Sequence, residues 1–265
     1  MQIVVFLLRI LSLLPLGVLY RISDVLAWSL QHVFGYRKGV VHLNLRKSFP
    51  DKTSSERSRI TNEFYAYLAD VMVETIKLQS ISAEGLKKRV VFLQPELLSQ
   101  KASQGKNVIL LMGHSGNWEW AGCAASLYYD LNILPVYRKV KQVDMDRYFF
   151  RLRSRFGSMP ILDKEAFLTI KDQPAPHAVA LLADHTPGAE KGLWIEFLSQ
   201  QAPFYRGTEV LLKRLDYEVV FAHVRRVKRG KYEIHLEEFH PSHAESHEVT
   251  KAFVAVLERE IHARP

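Results

Sequence analysis

Short apolar runs alternate with amphipathic stretches along most of this chain, and this alternation constrains the fold more than any other feature. The runs have the length of strands and lie at 90–93, 107–112, 133–137, 178–183 and 219–224. Stretches with a helical spacing of apolar residues lie near 95–104, 118–129, 144–156 and 207–215. Uninterrupted apolar strands are typical of a parallel sheet that is covered on both faces. We therefore predict an α/β fold with a central, mostly parallel sheet flanked by helices.

The segments on either side of this alternation give further predictions. Residues 53–56 (TSSE) have the pattern of a capping box, and apolar residues recur after them at spacings of three and four. This pattern predicts a long amphipathic helix that ends near Gln79. Alternating hydrophobic and polar residues over 231–239 predict an edge strand paired with 219–227, and a final helix is predicted over 248–262.

The N-terminal segment is apolar enough to interact with a membrane. Residues 3–20 carry one charge, Arg9, and one helix breaker, Pro15, and a second apolar stretch covers 25–34. The first run barely reaches the ~20 residues that span a bilayer. A spanning helix, a helix in the membrane interface and a hairpin of buried helices are therefore all open. We predict a membrane-anchoring helical segment over 1–36 and an α/β domain over 37–265.

The charge of the chain restricts its partners. A net charge of +8 at pH 7 favours an anionic partner: nucleic acid, an acidic protein or a membrane surface. The sequence has no C-x-x-C pair, RNA-reading aromatic motif or phosphate-binding glycine loop, which argues against nucleic acid. The cations after the apolar segment predict, by the positive-inside rule, that the following domain faces the cytoplasm, and they would bind anionic lipid headgroups; they are Arg37, Lys38, Arg46 and Lys47.

Residues 107–120, NVILLMGHSGNWEW, hold the motif that carries chemistry. A buried strand ends before Gly113, which permits a turn, and His114 follows at the carboxyl end of the predicted sheet. A helix begins near Trp118, so Glu119 lies in its first turn, where a carboxylate is favoured. Such a carboxylate can bind one imidazole nitrogen while the other faces a substrate, and the pair then serves as base and orienter. The alternative is a histidine that caps the turn beside a solvated glutamate.

The same residues permit a second interpretation. The sequence GHSGN at 113–117 nearly matches the G-x-S-x-G turn of serine hydrolases. It departs from that turn at Asn117, where a small residue is needed, and no Asp and His partners are clearly placed downstream. A membrane-bound serine hydrolase that uses Ser115 is thus one alternative, and a protein that only binds anionic lipid is another.

The GHSGNWEW motif resembles the first motif of the bacterial lipid A biosynthesis acyltransferases, within the wider glycerolipid acyltransferase superfamily. Further blocks follow in that family's order: His42-Leu43-Asn44-Leu45, Phe49-Pro50, Val136-Tyr137-Arg138, Asp184, Ala202-Pro203-Phe204, Gly207 and Glu209. The resemblance covers nearly the whole chain. It implies direct acyl transfer from a thioester of acyl carrier protein or coenzyme A to a hydroxyl, without a covalent enzyme intermediate, a cofactor or a metal.

The resemblance also implies an acceptor and a location. The acceptor would be an anionic membrane glycolipid, a lipid A precursor, although related enzymes acylate other lipids. The enzyme would lie at the cell inner membrane, with its catalytic domain facing the cytoplasm.

Carried over residue by residue, the resemblance assigns roles within the site. His114 becomes the general base with Glu119 as its partner, and Arg138 becomes a candidate for stabilising the thioester oxyanion or a substrate phosphate. An arginine directly after a strand suits that task, but a solvated cluster with Lys139 and Lys141 is equally consistent with the sequence.

A further set is predicted to bind substrate or shape its pocket: Asn117, Trp118, Asp184, Phe204, Gly207 and Thr208. Phe204 is equally suited to the core. The family usually has Asp-Gln where this chain has Asp184-His185, and this departure weakens any role for His185 more than one for Asp184.

Overall fold

A computed structural model of the protein describes residues 2–184, 187, 190, 192–242 and 247–265. Its strands are β1 (Val90–Phe92), β2 (Val108–Met112), β3 (Asn132–Tyr137), β4 (Ile161–Leu162), β5 (His177–Leu182), β6 (Leu193–Phe197), β7 (Gln200–Phe204), β8 (Glu218–Lys228) and β9 (Lys231–Phe239). Its helices are α1 (Gln2–Leu13), α2 (Leu16–Trp28), α3 (Lys38–Ser48), α4 (Ser54–Lys77), α5 (Ala83–Lys87), α6 (Pro95–Ser103), α7 (Trp118–Tyr128), α8 (Val143–Ser154), α9 (Ala166–Lys171), α10 (Gly207–Leu212) and α11 (Glu248–Ala263). A π-helical turn over Ser29–Val33 continues α2.

The central sheet of the described chain has seven strands in the order β1-β9-β8-β2-β5-β3-β4. Strand β2 runs parallel to β8 and β5, and β3 runs parallel to β5 and β4. Strand β9 is antiparallel to β8 and parallel to β1, so β1 and β9 run against the others. This topology confirms the predicted α/β fold with a mostly parallel sheet. The strand at 231–239 pairs with β8 as predicted, but it is not an edge strand, because β1 covers its other side.

Hydrophobic side chains cover both faces of β2, as its continuous apolar run predicts. Leu110 packs into one core together with Trp120 of α7. The neighbouring Leu111 points the other way and packs with Phe221 of β8 and Phe253 of α11. Burying a side chain of this size contributes roughly 1.5–3 kcal/mol. The helices on both faces therefore fix the position of β2 and of the loop that follows it.

The capping box predicted before α4 is present. Thr53 Oγ1 accepts a hydrogen bond from the Glu56 backbone at 3.2 Å, and Glu56 Oε2 accepts one from the Thr53 backbone at 2.7 Å. The reciprocal pair satisfies two amides at the helix start that no turn of α4 could satisfy. The helix extends to Lys77, close to the predicted end.

The N-terminal segment folds as a pair of short helices that lie against α4. Pro15 stands between α1 and α2, where it ends the first helix. Leu19 and Ser23 of α2 are fully buried, and α2 packs along α4. Other apolar side chains are exposed, among them Leu13 at 70% and Trp28 at 59%. Within the described residues, no helix combines the length and the apolar character that crossing a bilayer requires.

Candidate active site

Strands β2, β5 and β3 end at the same edge of the sheet, and three predicted site residues follow them. His114 comes two residues after β2, Asp184 two residues after β5, and Arg138 directly after β3. Because β2 and β5 are paired neighbours up to their last residues, His114 and Asp184 meet in space. Strand β3 lies one position further along, about 10 Å from β2 by the usual strand spacing. Ligands of open α/β sheets typically bind at such carboxyl ends.

Asp184 binds His114 through both of its carboxylate oxygens. Its Oδ1 lies 2.6 Å from His114 Nδ1, and its Oδ2 accepts the backbone N–H of His114 at 2.7 Å. Burial alone would raise the pKa of Asp184, but the side-chain and backbone hydrogen bonds from His114 hold that pKa below its ordinary value. A neutral imidazole that donates from Nδ1 carries its basic lone pair on Nε2. The pair is therefore arranged as a base and the carboxylate that orients it.

Glu119 lies in the first turn of α7, as predicted, but its carboxylate binds Arg153. The Arg153 Nη2 donates to Oε1 at 2.5 Å and Nε donates to Oε2 at 3.0 Å. The guanidinium of Arg153, which belongs to α8, also lies 5.5 Å from the ring centres of Tyr137 and Phe149. The sequence placed Glu119 at the imidazole, whereas the structure places Asp184 at Nδ1 of His114. The role of Glu119 as a member of the catalytic pair stays a prediction.

Two more predicted site residues lie where the loop after β2 meets α7: Asn117 ends the loop, and Trp118 begins the helix. The ring of Trp118 packs edge-on against His114, with 4.9 Å between the ring centres. Asn117 is fully buried. Its Oδ1 accepts the backbone N–H of Trp120 at 2.9 Å and so caps α7, and its Nδ2 donates to Glu74 Oε2 at 2.7 Å. In this conformation Asn117 supports the loop from the protein interior, whereas Trp118 lies beside the imidazole of His114.

Arg138 is tethered at the surface on the other side of β5. Its Nε donates to Asp163 Oδ2 at 3.2 Å, and its Nη2 donates to the Tyr205 hydroxyl at 2.5 Å. The side chain is 67% exposed, with Lys139 and Lys141 exposed nearby. Its role towards an oxyanion or a phosphate stays a prediction.

The remaining predicted pocket residues lie around α10. Phe204 is buried in the core on the α11 face of the sheet and packs edge-on against Phe197, at 5.3 Å between ring centres. Gly207 begins α10, and Thr208 beside it is 5% exposed. Phe204 thus lies in the core, which was the alternative to a place in the substrate pocket. His185 lies outside the described residues.

Sequence reasoning assigned no role to Arg153 or Glu74, the two residues that bind Glu119 and Asn117. Glu74 is fully buried on α4 although its side chain is ionisable. Among the described residues, no group of three or more His, Cys, Asp or Glu side chains is arranged to hold a metal ion.

Two comparisons relate the chain to known proteins. The model of the family described as bacterial lipid A biosynthesis acyltransferase matches residues 1–265. A protein of Haemophilus influenzae named lipid A biosynthesis acyltransferase is 24% identical over 244 residues, which cover 90% of this chain and 74% of the relative. The family match thus includes the N-terminal helices as well as the sheet.

Proposed function

Because the chain belongs to the bacterial lipid A biosynthesis acyltransferase family and is an O-acyltransferase, we propose that it transfers a fatty acyl chain from an acyl carrier protein to a hydroxyl of a lipid A precursor, with His114 as the general base. The observation that carries this proposal is the contact between His114 Nδ1 and Asp184 Oδ1 at the carboxyl edge of the sheet. It leaves the basic lone pair of the ring on Nε2, the atom that has to meet an acceptor hydroxyl.

The reaction needs a base because a neutral hydroxyl attacks a thioester slowly. As the hydroxyl oxygen bonds to the thioester carbon, Nε2 of His114 takes its proton, a step that usually contributes ~10²- to 10⁴-fold. The carbon–sulfur bond then breaks, and the imidazolium returns the proton to the departing thiolate. The products are an ester on the acceptor and a free thiol on the donor. Asp184 stabilises the imidazolium that exists between these steps.

The basic surface beside the site supports an acidic donor. The cations between the end of β3 and the last turn of α8 are exposed; they are Arg138, Lys139, Lys141, Arg147 and Arg151. Such a surface steers an acidic protein towards the site, and salt weakens the effect. We expect KM for an acyl carrier protein thioester to rise with ionic strength. If kcat/KM for coenzyme A thioesters equals that for the acyl carrier protein thioester at all salt concentrations, the donor is coenzyme A instead.

The N-terminal helices support attachment to the membrane interface. Leu13, Val25 and Trp28 each expose more than half of their surface, and moving such a side chain out of water contributes roughly 1.5–3 kcal/mol. We propose that residues 1–36 dock the acyltransferase domain, 37–265, on the cytoplasmic face of the inner membrane. The exposed cations of 37–47 would then meet anionic headgroups.

Vesicle binding tests this attachment with a matched pair of variants. Val25→Ser and Val227→Ser remove similarly exposed valines, at 66% and 51%, from the N-terminal helices and from the end of β8. We expect only Val25→Ser to weaken co-sedimentation with anionic phospholipid vesicles. Equal binding by both variants would contradict the proposal.

The reaction itself is tested by mass spectrometry of the lipid product. The protein is incubated with an acyl carrier protein thioester and a tetraacylated lipid A precursor. The wild type should add the mass of one acyl chain, and His114→Ala should not. A rate near that of the wild type in His114→Ala would refute the proposal. Labelling by a fluorophosphonate probe that Ser115→Ala abolishes would favour a serine hydrolase.

Two further variants distinguish the carboxylates. The contact at Nδ1 predicts a larger loss of kcat for Asp184→Asn than for Glu119→Gln, since Asp184 binds the ring whereas Glu119 binds Arg153. An equal or larger loss for Glu119→Gln would give Glu119 the role that the sequence predicted for it.

A further inference from the structure

A buried carboxylate on α4 connects several parts of the protein beneath the candidate active site. Glu74 is fully buried. Its Oε1 accepts a hydrogen bond from the Tyr20 hydroxyl at 2.8 Å, and its Oε2 accepts bonds from Asn117 Nδ2 and the Tyr232 hydroxyl, both at 2.7 Å. Its backbone carbonyl accepts the indole N–H of Trp120 at 2.8 Å. These donors come from α2, β9, α7 and the loop before α7.

Burying such a carboxylate makes an unfavourable contribution to the free energy of folding. Burial raises the pKa of Glu74, and the hydrogen bonds from Tyr232, Asn117 and Tyr20 only partly offset this effect. Even a well hydrogen-bonded ionisable group is costly to bury, and apolar side chains of similar volume can often fill the same space with no loss of stability. A group of this kind is therefore informative about what it holds in place.

The group that Glu74 holds is the loop of the base. Asn117 comes three residues after His114, and its amide uses both ends, one to cap α7 and one to reach Glu74. Tyr67, two turns earlier on α4, donates its hydroxyl to the carbonyl of Gly116. Helix α4 thus binds consecutive residues of the loop that joins His114 to α7.

We infer that Glu74 is a positioning residue, whose hydrogen bond to Asn117 fixes the loop 114–117 so that His114 stays on Asp184 and beneath the acceptor hydroxyl. This inference rests on the proposed function of His114. Glu74 contacts neither substrate nor the reacting atoms, so its loss should lower kcat and leave KM for the acceptor lipid nearly unchanged.

An exchange of donor and acceptor tests the contact directly. In Asn117→Asp the cap of α7 is kept, because Asp and Asn cap equally well, but a carboxylate now faces Glu74. A loop displaced by about 1 Å can cost ~10²-fold, so kcat should fall by roughly 10- to 100-fold. Adding Glu74→Gln lets the glutamine amide donate to the new carboxylate at position 117 in place of the native bond. The double variant should therefore recover kcat to within a few-fold of the wild type.

The single variant Glu74→Gln is a second test that does not depend on the stability of Asn117→Asp. Its amide oxygen can take the place of Oε2 and accept from Asn117, while its nitrogen donates to the oxygen of Tyr20. We expect kcat near that of the wild type, whereas Glu74→Leu, which cannot bind Asn117, should lose kcat as Asn117→Asp does. A Glu74→Gln variant as slow as Glu74→Leu would overturn the inference.

Tyr65→Phe is the matched control. Tyr65 lies on the same helix, is also fully buried, and donates a 2.7 Å hydrogen bond to the carbonyl of Tyr36, which is not a residue of the loop. Its loss should lower the melting temperature and leave kcat per folded molecule unchanged, with the folded fraction measured by circular dichroism. If Asn117→Asp behaves in the same way, or if the double variant is no faster than Asn117→Asp, Glu74 has only a structural role and the inference fails.

A nuclear magnetic resonance measurement separates this inference from the proposed function. The imidazole Hε1 signal of His114, assigned by its absence in His114→Ala, is sensitive to the adjacent ring of Trp118. We expect this signal to move in Asn117→Asp and to return in the double variant, whatever reaction the enzyme catalyses. An unmoved signal in Asn117→Asp would refute the positioning role, and activity retained in His114→Ala would refute the proposed function alone.

Discussion

Gly116 is the position where the smallest change should disturb the active site most. It lies between His114 and Asn117 with a φ of +57°, and an added Cβ would lie 2.4 Å from both the carbonyl oxygen and the Cγ1 atom of Val224. A left-handed backbone costs an L-residue with a side chain roughly 1–2 kcal/mol. The carbonyl of Val224 belongs to a central strand, so the loop has to retreat by about 1 Å to restore an ordinary contact of 3.4 Å.

The two effects of Gly116→Ala add in the free energy of unfolding. Overpacking in a rigid site costs roughly 1–3 kcal/mol, which with the backbone term gives a loss of about 2–5 kcal/mol. If His114 is the base, as we propose, a displacement of this size at its loop should also lower kcat by about 10-fold or more. The variant is therefore expected to be both less stable and slower per folded molecule.

The control for this experiment is Gly122→Ala, six residues further on. Gly122 lies within α7, and an added Cβ would meet nothing within 4 Å. Since alanine favours a helix over glycine by roughly 1 kcal/mol, this variant should be slightly more stable than the wild type and equally active. Thermal unfolding followed by circular dichroism and the rate of acyl transfer measure both effects. If Gly116→Ala keeps the melting temperature and kcat of the wild type, the loop does not approach Val224 as closely as described.

Three buried groups give further predictions. Because the pKa of Glu74 is raised in the folded state, the wild type loses stability as the pH rises from the ordinary pKa of a glutamate through the raised one. Glu74→Gln lacks this loss, so the free energy of unfolding in urea, variant minus wild type, should be more favourable to the variant at about pH 8 than at about pH 4. An equal difference at both pH values would contradict the raised pKa. Asp70, 3% exposed, binds Arg226 and Arg229, whose side chains are 25% and 35% exposed. Asp70→Asn leaves two arginines that water can reach, so the free energy of unfolding in urea should fall by roughly 1.5–3 kcal/mol, the contribution of hydrogen bonds to charged groups, and a loss below about 0.5 kcal/mol would contradict the pairing. Cys123 is 2% exposed and burial raises its pKa, so a maleimide should label it only in urea, and rapid labelling of the native enzyme would contradict its burial.

Most of the sheet could be predicted because its strands are recognised locally. Strands β2, β3, β5 and the first half of β8 coincide with continuous apolar runs, and such runs indicate a buried strand without any knowledge of its neighbours. The shortest elements gave no such signal: β4 covers only Ile161–Leu162. The position of β9 inside the sheet depends on β1, which covers only Val90–Phe92 and pairs with it across most of the chain. Pairing between strands so far apart in sequence is decided by how the whole fold packs, and a local sequence pattern gives no information about that packing.

The position of His114 could be predicted from sequence, but the carboxylate at its ring could not. His114 follows from a strand, a glycine and a helix start within a few residues. Glu119 is near in sequence, but α7 turns it towards Arg153 on α8. Asp184 is 70 residues away and reaches His114 only because β5 lies beside β2 in the sheet. Strand order is a property of the whole fold, so a motif-based prediction favours the nearer acid.

Glu74 had a sequence signal that helical periodicity could have revealed. Tyr67, Asp70 and Glu74 follow one another at spacings of three and four, so they lie on one side of α4, and all of them face the interior. Acids at buried positions of an otherwise amphipathic helix indicate partners elsewhere in the chain.

The partners of these acids show that the N-terminal helices are more than a surface attachment. Tyr20 of α2 donates to Glu74, and Ser23 of α2 donates to Asp70 at 2.6 Å. Through Glu74 and Asn117, hydrogen bonds connect α2 to the loop of His114 without a gap. If α2 docks on the membrane as we propose, the surface that holds the acceptor lipid and the loop that holds the base are joined by one buried carboxylate. A shift of α2 then has a direct physical route to the base, because Tyr20 and Asn117 bind opposite oxygens of the same side chain.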